Sequence, residues 1–148
     1  MSLSHTLTRS DPITNAQEGM MVIGVGTDIL KTSRLNPSTL VPGDAFFERV
    51  FTPAEQEQAT QAVDSHEYLV ARFCAKEATY KAVSLCREEF HPGDFEVLDD
   101  KDGHPHVRLL GRTKQAVWGT WSEGVQLLVS ISHEDGLVSA FALAQTND

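Results

Sequence analysis

Basic residues and cysteines are both scarce in this sequence. Twelve Lys and Arg stand against 21 Asp and Glu, so the formal net charge is -9 at pH 7. This balance argues against a nucleic-acid-binding protein, which needs a basic face. The two cysteines, Cys74 and Cys86, are too few for a disulfide scaffold and lack metal-binding spacing. We therefore expect reduced thiols in a cytoplasmic protein.

Long apolar runs are absent as well. No run approaches the ~18 residues that a membrane-spanning helix needs, which excludes an integral membrane protein. Residues 1–19 are rich in Ser and Thr and contain few, scattered apolar residues, so we expect a flexible N-terminal extension there. Residues 20–148 then suit one domain of ordinary size.

The first half of that domain predicts one strand followed by helices. Residues 21–26 form a short β-branched run bounded by glycine, which is typical of a buried strand. Residues 44–51 predict a short helix, and Thr52 with Pro53 and Glu55 forms a capping box that begins the next one. Apolar residues at helical spacing predict the longest helix over 64–86.

The second half predicts strands. Residues 95–98 and 106–110 flank one hairpin turn, and residues 125–132 and 137–144 flank another that contains Gly136. A helix is expected over 112–121. Together these elements indicate an α+β fold, a single small domain with an antiparallel sheet packed against a long helix.

Asp28 is the first candidate for chemistry. It follows the pattern Gly24-Val25-Gly26, and we place it just past the strand. Glycines permit a close approach of the backbone to a ligand, and a carboxylate at a strand end suits a divalent cation. A turn-capping role for Asp28 is the alternative.

The long helix contains a second cluster of charge. Glu77 and Lys81 lie four residues apart on one helical face, and Arg72 and Lys76 lie on an adjoining face. An isolated pair of this kind is usually a surface salt bridge. Here the neighbouring Phe73, Ala75, Ala78 and Ala82 make the setting apolar, which favours a functional role.

His133 ends an apolar run before a tight turn. At this sheet edge it has three possible roles, which are phosphate contact, proton transfer and that of a plain turn histidine. The other histidines lack ligand spacing, which argues against zinc.

Taken in order, these segments resemble the holo-acyl-carrier-protein synthases, the short single-domain class of the 4'-phosphopantetheinyl transferase superfamily. The matching segments are residues 22–34, 46–55, 69–82, 103–109 and 129–143. The resemblance is specific because G-x-D near the start and K-E-A-x-x-K on the long helix occur together.

The resemblance implies the family's α+β fold and a homotrimer with an active site at each subunit interface. It also implies Mg²⁺-dependent transfer of the phosphopantetheine arm of coenzyme A to a serine of acyl carrier protein. Adenosine 3',5'-bisphosphate is the expected second product.

The resemblance also implies roles for individual residues. Asp28 and Glu77 would be the Mg²⁺ ligands, and Lys81 would approach the diphosphate, so that these three form the catalytic set. Arg72 and His133 match positions near the coenzyme A phosphates. The sequence leaves open whether Glu77 or a metal-bound water takes the serine proton.

The resemblance implies that Arg34 and Arg49, assisted by Lys31, dock the carrier protein. Residues 35–48 contain no base, although the family's docking helix is usually basic. The partner is therefore expected to be an acyl carrier protein or a carrier domain of a larger synthase. Residues 83–87 replace glycines that the family often has in its coenzyme-binding loop.

Two other functions fit the same residues. One is a Mg²⁺-dependent hydrolase of nucleotide diphosphates. The other is a catalytically silent protein that binds coenzyme A or a carrier protein.

Overall fold

The computed structural model describes residues 19–83 and 89–148, and within them it has five strands and four helices. The strands are β1 Met21–Lys31, β2 Phe95–Asp99, β3 Pro105–Leu109, β4 Gln126–Glu134 and β5 Leu137–Thr146. The helices are α1 Ala45–Val50, α2 Pro53–Gln61, α3 Ser65–Ala82 and α4 Gly111–Thr120. The predicted extension, apart from Gly19, and the predicted end of the long helix at residue 86 lie outside the described residues.

All strand pairing is antiparallel. One sheet has the order β1-β5-β4, and β2 pairs with β3 in a second, two-stranded sheet. Both predicted hairpins are present. Their turns use left-handed backbone at Asp135, Gly136 and Gly103, with φ angles of 39°, 78° and 86°.

The long helix α3 lies across the three-stranded sheet. Asp64 begins it by accepting a hydrogen bond at 3.0 Å from the backbone N–H of Glu67. In the second half of α3 the buried residues include four small side chains, which are Cys74, Ala75, Ala78 and Ala82. Small residues allow the helix axis to approach β1 and β5 closely.

The glycines of β1 serve this packing. A Cβ built on Gly26 would stand 1.9 Å from the carbonyl oxygen of Ala78, and one on Gly24 would stand 1.9 Å from that of Ala82. The interpretation that these glycines admit a ligand is therefore wrong. They admit the backbone of α3, because only a residue without Cβ leaves room for it.

A buried ion pair joins α2 to α3. Lys76 donates to Glu55 at 2.8 Å and to the carbonyl oxygens of Pro92 and Phe95 at 3.0 and 2.6 Å. Both side chains are fully buried. The predicted capping box is present, since Glu55 also accepts from the N–H of Thr52 at 2.9 Å. Glu55 thus caps α2 and neutralises Lys76 at once.

The face of the three-stranded sheet turned away from α3 is largely apolar and exposed. Val25, Leu143 and Leu128 form one row across the sheet, by register. Ile29 and Phe141, further along, are 68% and 45% exposed. Within the described ranges no helix combines the length and apolar character required to cross a membrane.

Candidate active site

Asp28 lies inside strand β1, opposite Ala140 of β5, and not beyond the strand end as predicted. The strand continues to Lys31 because its pairing with β5 continues to Leu137. The Asp28 side chain is 12% exposed. Its Oδ2 is buried and has no hydrogen-bond partner, which is costly for a carboxylate oxygen unless a ligand satisfies it.

Glu77 of α3 stands beside Asp28. The pKa of Glu77 is raised to about 7, first by burial and then by a hydrogen bond to the Asp28 carboxyl and by the charge of Asp28. Lys81 and Arg34 act in the opposite direction. Two facing carboxyls can share a hydrogen bond only when one of them holds a proton. When both are ionised, Oδ2 of Asp28 lacks a donor.

Lys81 binds the strand that carries Asp28. Its Nζ lies 3.5 Å from Oδ1 of Asp28 and donates to the carbonyl oxygen of Thr27 at 2.8 Å. The side chain is 54% exposed, so its ammonium borders both solvent and the carboxylate pair. Lys81 therefore reaches across to Asp28 on β1, and its charge also acts on Glu77 along the helix.

The thiol of Cys74 completes the inner side of this cluster. It is fully buried and lies within 3.7 Å of the carbonyl oxygen of Val138. Burial, followed by the charge of Asp28, raises the pKa of Cys74 to about 12. The thiol therefore stays protonated at neutral pH and is not a nucleophile. Sequence reasoning had treated it only as a reduced cysteine.

A cavity of about 810 Å³ opens beside Glu77. Its wall includes three aromatic rings, from Phe46, Phe73 and Phe90, and two arginines, Arg49 and Arg112. Arg49 was predicted from sequence for docking. Arg112 was missed, since only the fold brings the start of α4 to this cavity.

Arg34 lies in the 3₁₀ turn Thr32–Arg34 that follows β1. It is exposed, yet close enough for its charge to lower the pKa of Glu77. Both predicted docking residues thus lie near Glu77, although they come from different elements.

Arg72 and His133 line a different cavity, of about 430 Å³. Arg72 Nη1 donates to Asp99 at 2.8 Å, and His133 Nδ1 lies 3.3 Å from Glu67. Arg72 and Glu77 are five residues apart on α3, so they point in directions about 140° apart. The structure therefore separates the predicted residues into two groups.

The carboxylate pair fits a divalent cation. Asp28 and Glu77 offer two hard oxygen ligands, and a cation would satisfy the buried Oδ2 that lacks a donor. In residues 19–83 and 89–148, no cluster of three or more His, Cys, Asp or Glu side chains is arranged to hold a metal. Two carboxylates are compatible with Mg²⁺ in particular, because this ion usually keeps waters and takes one or two carboxylates together with phosphates.

Comparison with known proteins gives consistent results. Residues 24–142 match the family model described as the 4'-phosphopantetheinyl transferase superfamily. The holo-acyl-carrier-protein synthase of Dehalococcoides mccartyi is 37% identical over 121 residues, which cover 81% of this chain and 96% of that protein. The enzyme of the same name from Mycolicibacterium smegmatis is 34% identical, with 85% and 98% covered.

Comparison with solved structures gives the same family as the sequence comparisons. The holo-acyl-carrier-protein synthase of Plasmodium yoelii superposes with a TM-score of 0.72 at 31% identity, covering 88% of this chain and 99% of that one. A complex of the synthase with coenzyme A from Chronobacterium ammoniagenes also gives 0.72, at 29% identity, covering 86% and 97%.

Proposed function

This chain belongs to the 4'-phosphopantetheinyl transferase superfamily, as a holo-acyl-carrier-protein synthase, and from that membership we propose its reaction. It transfers the phosphopantetheine arm of coenzyme A to a serine of an apo carrier protein and releases adenosine 3',5'-bisphosphate. The observation that carries the proposal is the partly buried Asp28–Glu77 pair with Lys81 beside it. The family and the fold class predicted from sequence are confirmed.

Asp28 and Glu77 would hold Mg²⁺. When bound, the ion neutralises the diphosphate oxygens and fixes their orientation. The support from this chain is the buried Asp28 Oδ2, which lacks a hydrogen-bond donor. Asp28 is held rigidly because it lies within a strand that is paired along its length.

The transfer needs one group that stabilises the departing phosphate and one group that accepts the serine proton. The serine Oγ attacks the β-phosphorus, and the bond from that phosphorus to the oxygen of the adenosine 5'-phosphate breaks. Lys81 lies beside Asp28 and can stabilise the charge that grows on the departing phosphate. We assign the acceptance of the serine proton to Glu77, whose carboxylate lies beside Asp28.

The proposed assembly is a homotrimer with active sites between chains. Two features support contact between copies. The outer sheet face carries exposed apolar residues, among them Val25, Ile29 and Phe141. Arg72 and Glu77 face different sides of α3, so two copies are better placed than one to surround a single coenzyme.

We assign carrier docking to the arginines around Glu77. Arg34 and Arg49 are exposed, and acidic carriers are attracted by such charges. Arg49→Glu should raise KM for the carrier by about tenfold while KM for coenzyme A changes little. Lys114→Glu, the same charge reversal on exposed α4, is the matched control. Equal effects of the two substitutions would contradict the assignment.

Mass spectrometry of the carrier tests the reaction. The full chain is incubated with coenzyme A, Mg²⁺ and a panel of apo carriers that includes separate carrier proteins and carrier domains of larger synthases. A carrier heavier by one phosphopantetheine is the expected result. Cleavage of coenzyme A without carrier modification would indicate the hydrolase instead. Binding without either change would indicate the silent binding protein.

A further inference from the structure

The smaller cavity, which contains Arg72 and His133, has an unusual charge for a phosphate site. It lies between the start of α3, the β2–β3 turn and β4. Three carboxylates line it, from Asp64, Glu67 and Asp99, against one guanidinium and one imidazole. None of Asp28, Glu77 and Lys81 is part of its wall. The lining is therefore negative in total, whether His133 is neutral or protonated.

Both basic groups already have carboxylate partners. Arg72 donates from Nη1 to Oδ1 of Asp99 at 2.8 Å and from Nη2 to Oδ2 at 3.5 Å. Its guanidinium also stacks over the Tyr68 ring, at 4.3 Å from the ring centroid. His133 is paired with Glu67. A phosphate entering the cavity would have to compete with these carboxylates and would be repelled by them.

One donor in the cavity wall still has no acceptor. The Arg72 side chain is 7% exposed, and its Nε is buried without a hydrogen-bond partner. Because a buried N–H without an acceptor is unfavourable, this atom points to a ligand that offers an oxygen. A hydroxyl oxygen supplies that acceptor without bringing more negative charge to the three carboxylates.

Coenzyme A presents two separate anionic groups, the diphosphate that reacts and a phosphate on the ribose 3' oxygen. Under the proposed function, the diphosphate lies at Asp28 and Lys81. The 3'-phosphate then lies elsewhere, and we place it at the smaller cavity with Arg72 and His133. We propose that Glu67 and Asp99 are specificity-determining residues that weaken the preference for the 3'-phosphate. A coenzyme with a free 3'-hydroxyl is then used almost as well. This inference rests on the proposed function.

The inference is tested by measuring transfer from coenzyme A and from 3'-dephospho-coenzyme A. Both are measured at one saturating concentration of the same carrier and at one pH. The two values of kcat/KM should differ by less than about tenfold in the unmodified protein. Glu67→Gln should raise the preference for coenzyme A by about fivefold, because it removes a charge that repels phosphate. Glu57→Gln, the same change at an exposed residue of α2 outside this cavity, should leave the ratio unchanged.

A preference above about tenfold in the unmodified protein would overturn the inference, as would equal effects of the two substitutions. Calorimetry with adenosine 3',5'-bisphosphate and adenosine 5'-monophosphate gives a second readout that needs no turnover. Glu67→Gln should raise the affinity for adenosine 3',5'-bisphosphate relative to that for adenosine 5'-monophosphate. Failure of transfer from both coenzymes would contradict the proposed function, and the affinity ratio would still decide about the cavity.

Discussion

Gly26 of β1 lies directly against the carbonyl oxygen of Ala78 in α3, where a Cβ would stand 1.9 Å from that oxygen. The two elements that supply the carboxylates meet at this contact. Asp28 lies two residues beyond Gly26, and Glu77 immediately precedes Ala78. The spacing of the carboxylates therefore depends on a glycine that itself has no chemistry.

We predict that Gly26→Ala destabilises the protein and impairs the site. The added methyl must displace backbone, which typically costs about 1–3 kcal/mol. Thermal unfolding should show a Tm lower by about 2–4 °C for each kcal/mol lost. Gly119→Ala is the control, since nothing lies within 4 Å of a Cβ there. Its Tm should be unchanged or slightly higher, and a similar loss in both variants would contradict the packing argument.

A second prediction concerns Glu77 and pH. Its pKa is raised from 4.5 to about 7 in the folded protein, so between these values the folded state binds more protons than the unfolded one. Its contribution to stability is therefore fully present below pH 4.5 and declines as pH rises to about 7. Because Glu77 is only half-buried, we expect a modest effect of about 1 kcal/mol.

Glu77→Gln removes this decline, since glutamine does not titrate. With EDTA present, the variant should unfold at a higher Tm than the unmodified protein at pH 8, although it loses transfer activity. Glu57→Gln, an exposed change on α2, is the control. Equal pH dependence in all three proteins would show that Glu77 does not carry this charge penalty.

The third prediction concerns the buried pair Lys76–Glu55. Lys76→Met leaves the Glu55 carboxylate buried without its cation, which typically costs about 3–5 kcal/mol. Urea unfolding should detect this loss, and Lys114→Met on exposed α4 should change little. The double variant Glu55→Gln with Lys76→Met should regain part of the loss. If Lys76→Met were as stable as the unmodified protein, the result would contradict the fully buried position of Lys76.

A fourth prediction concerns the outer sheet face. If copies meet there, Phe141→Arg should dissociate the assembly, because it places a charge among apolar residues. Sedimentation should change from trimer to monomer. Val41→Arg, at an exposed apolar residue outside this sheet, should leave the trimer intact. A stable, active monomer of the unmodified protein would contradict the proposed assembly.

Most of the fold could be predicted from sequence because its signals are local. The capping box at Thr52 and the glycine turns at Gly103 and Gly136 depend on neighbouring residues alone. The extent of β1 could not be predicted from sequence, because it depends on the pairing with β5, which continues through Asp28 to Lys31. The sequence also did not reveal the role of Gly24 and Gly26, because that role depends on the packing of β1 against α3.

The candidate site divides in a similar way. Asp28, Glu77 and Lys81 were found because two short motifs occur together in one chain. Arg112 was not found from sequence, because its neighbours show only an ordinary helix start. The ion pair of Arg72 with Asp99 and the contact of His133 with Glu67 join distant segments, and no spacing rule predicts them.

The most direct test of the central claim is Mn²⁺ binding, with adenosine 3',5'-bisphosphate present and followed by electron paramagnetic resonance. If Asp28 and Glu77 hold the cation, the unmodified protein should bind about one Mn²⁺ per chain, which Mg²⁺ displaces. Asp28→Asn should lose this binding while its unfolding stays cooperative. Undiminished Mn²⁺ binding by a folded Asp28→Asn protein would contradict the account.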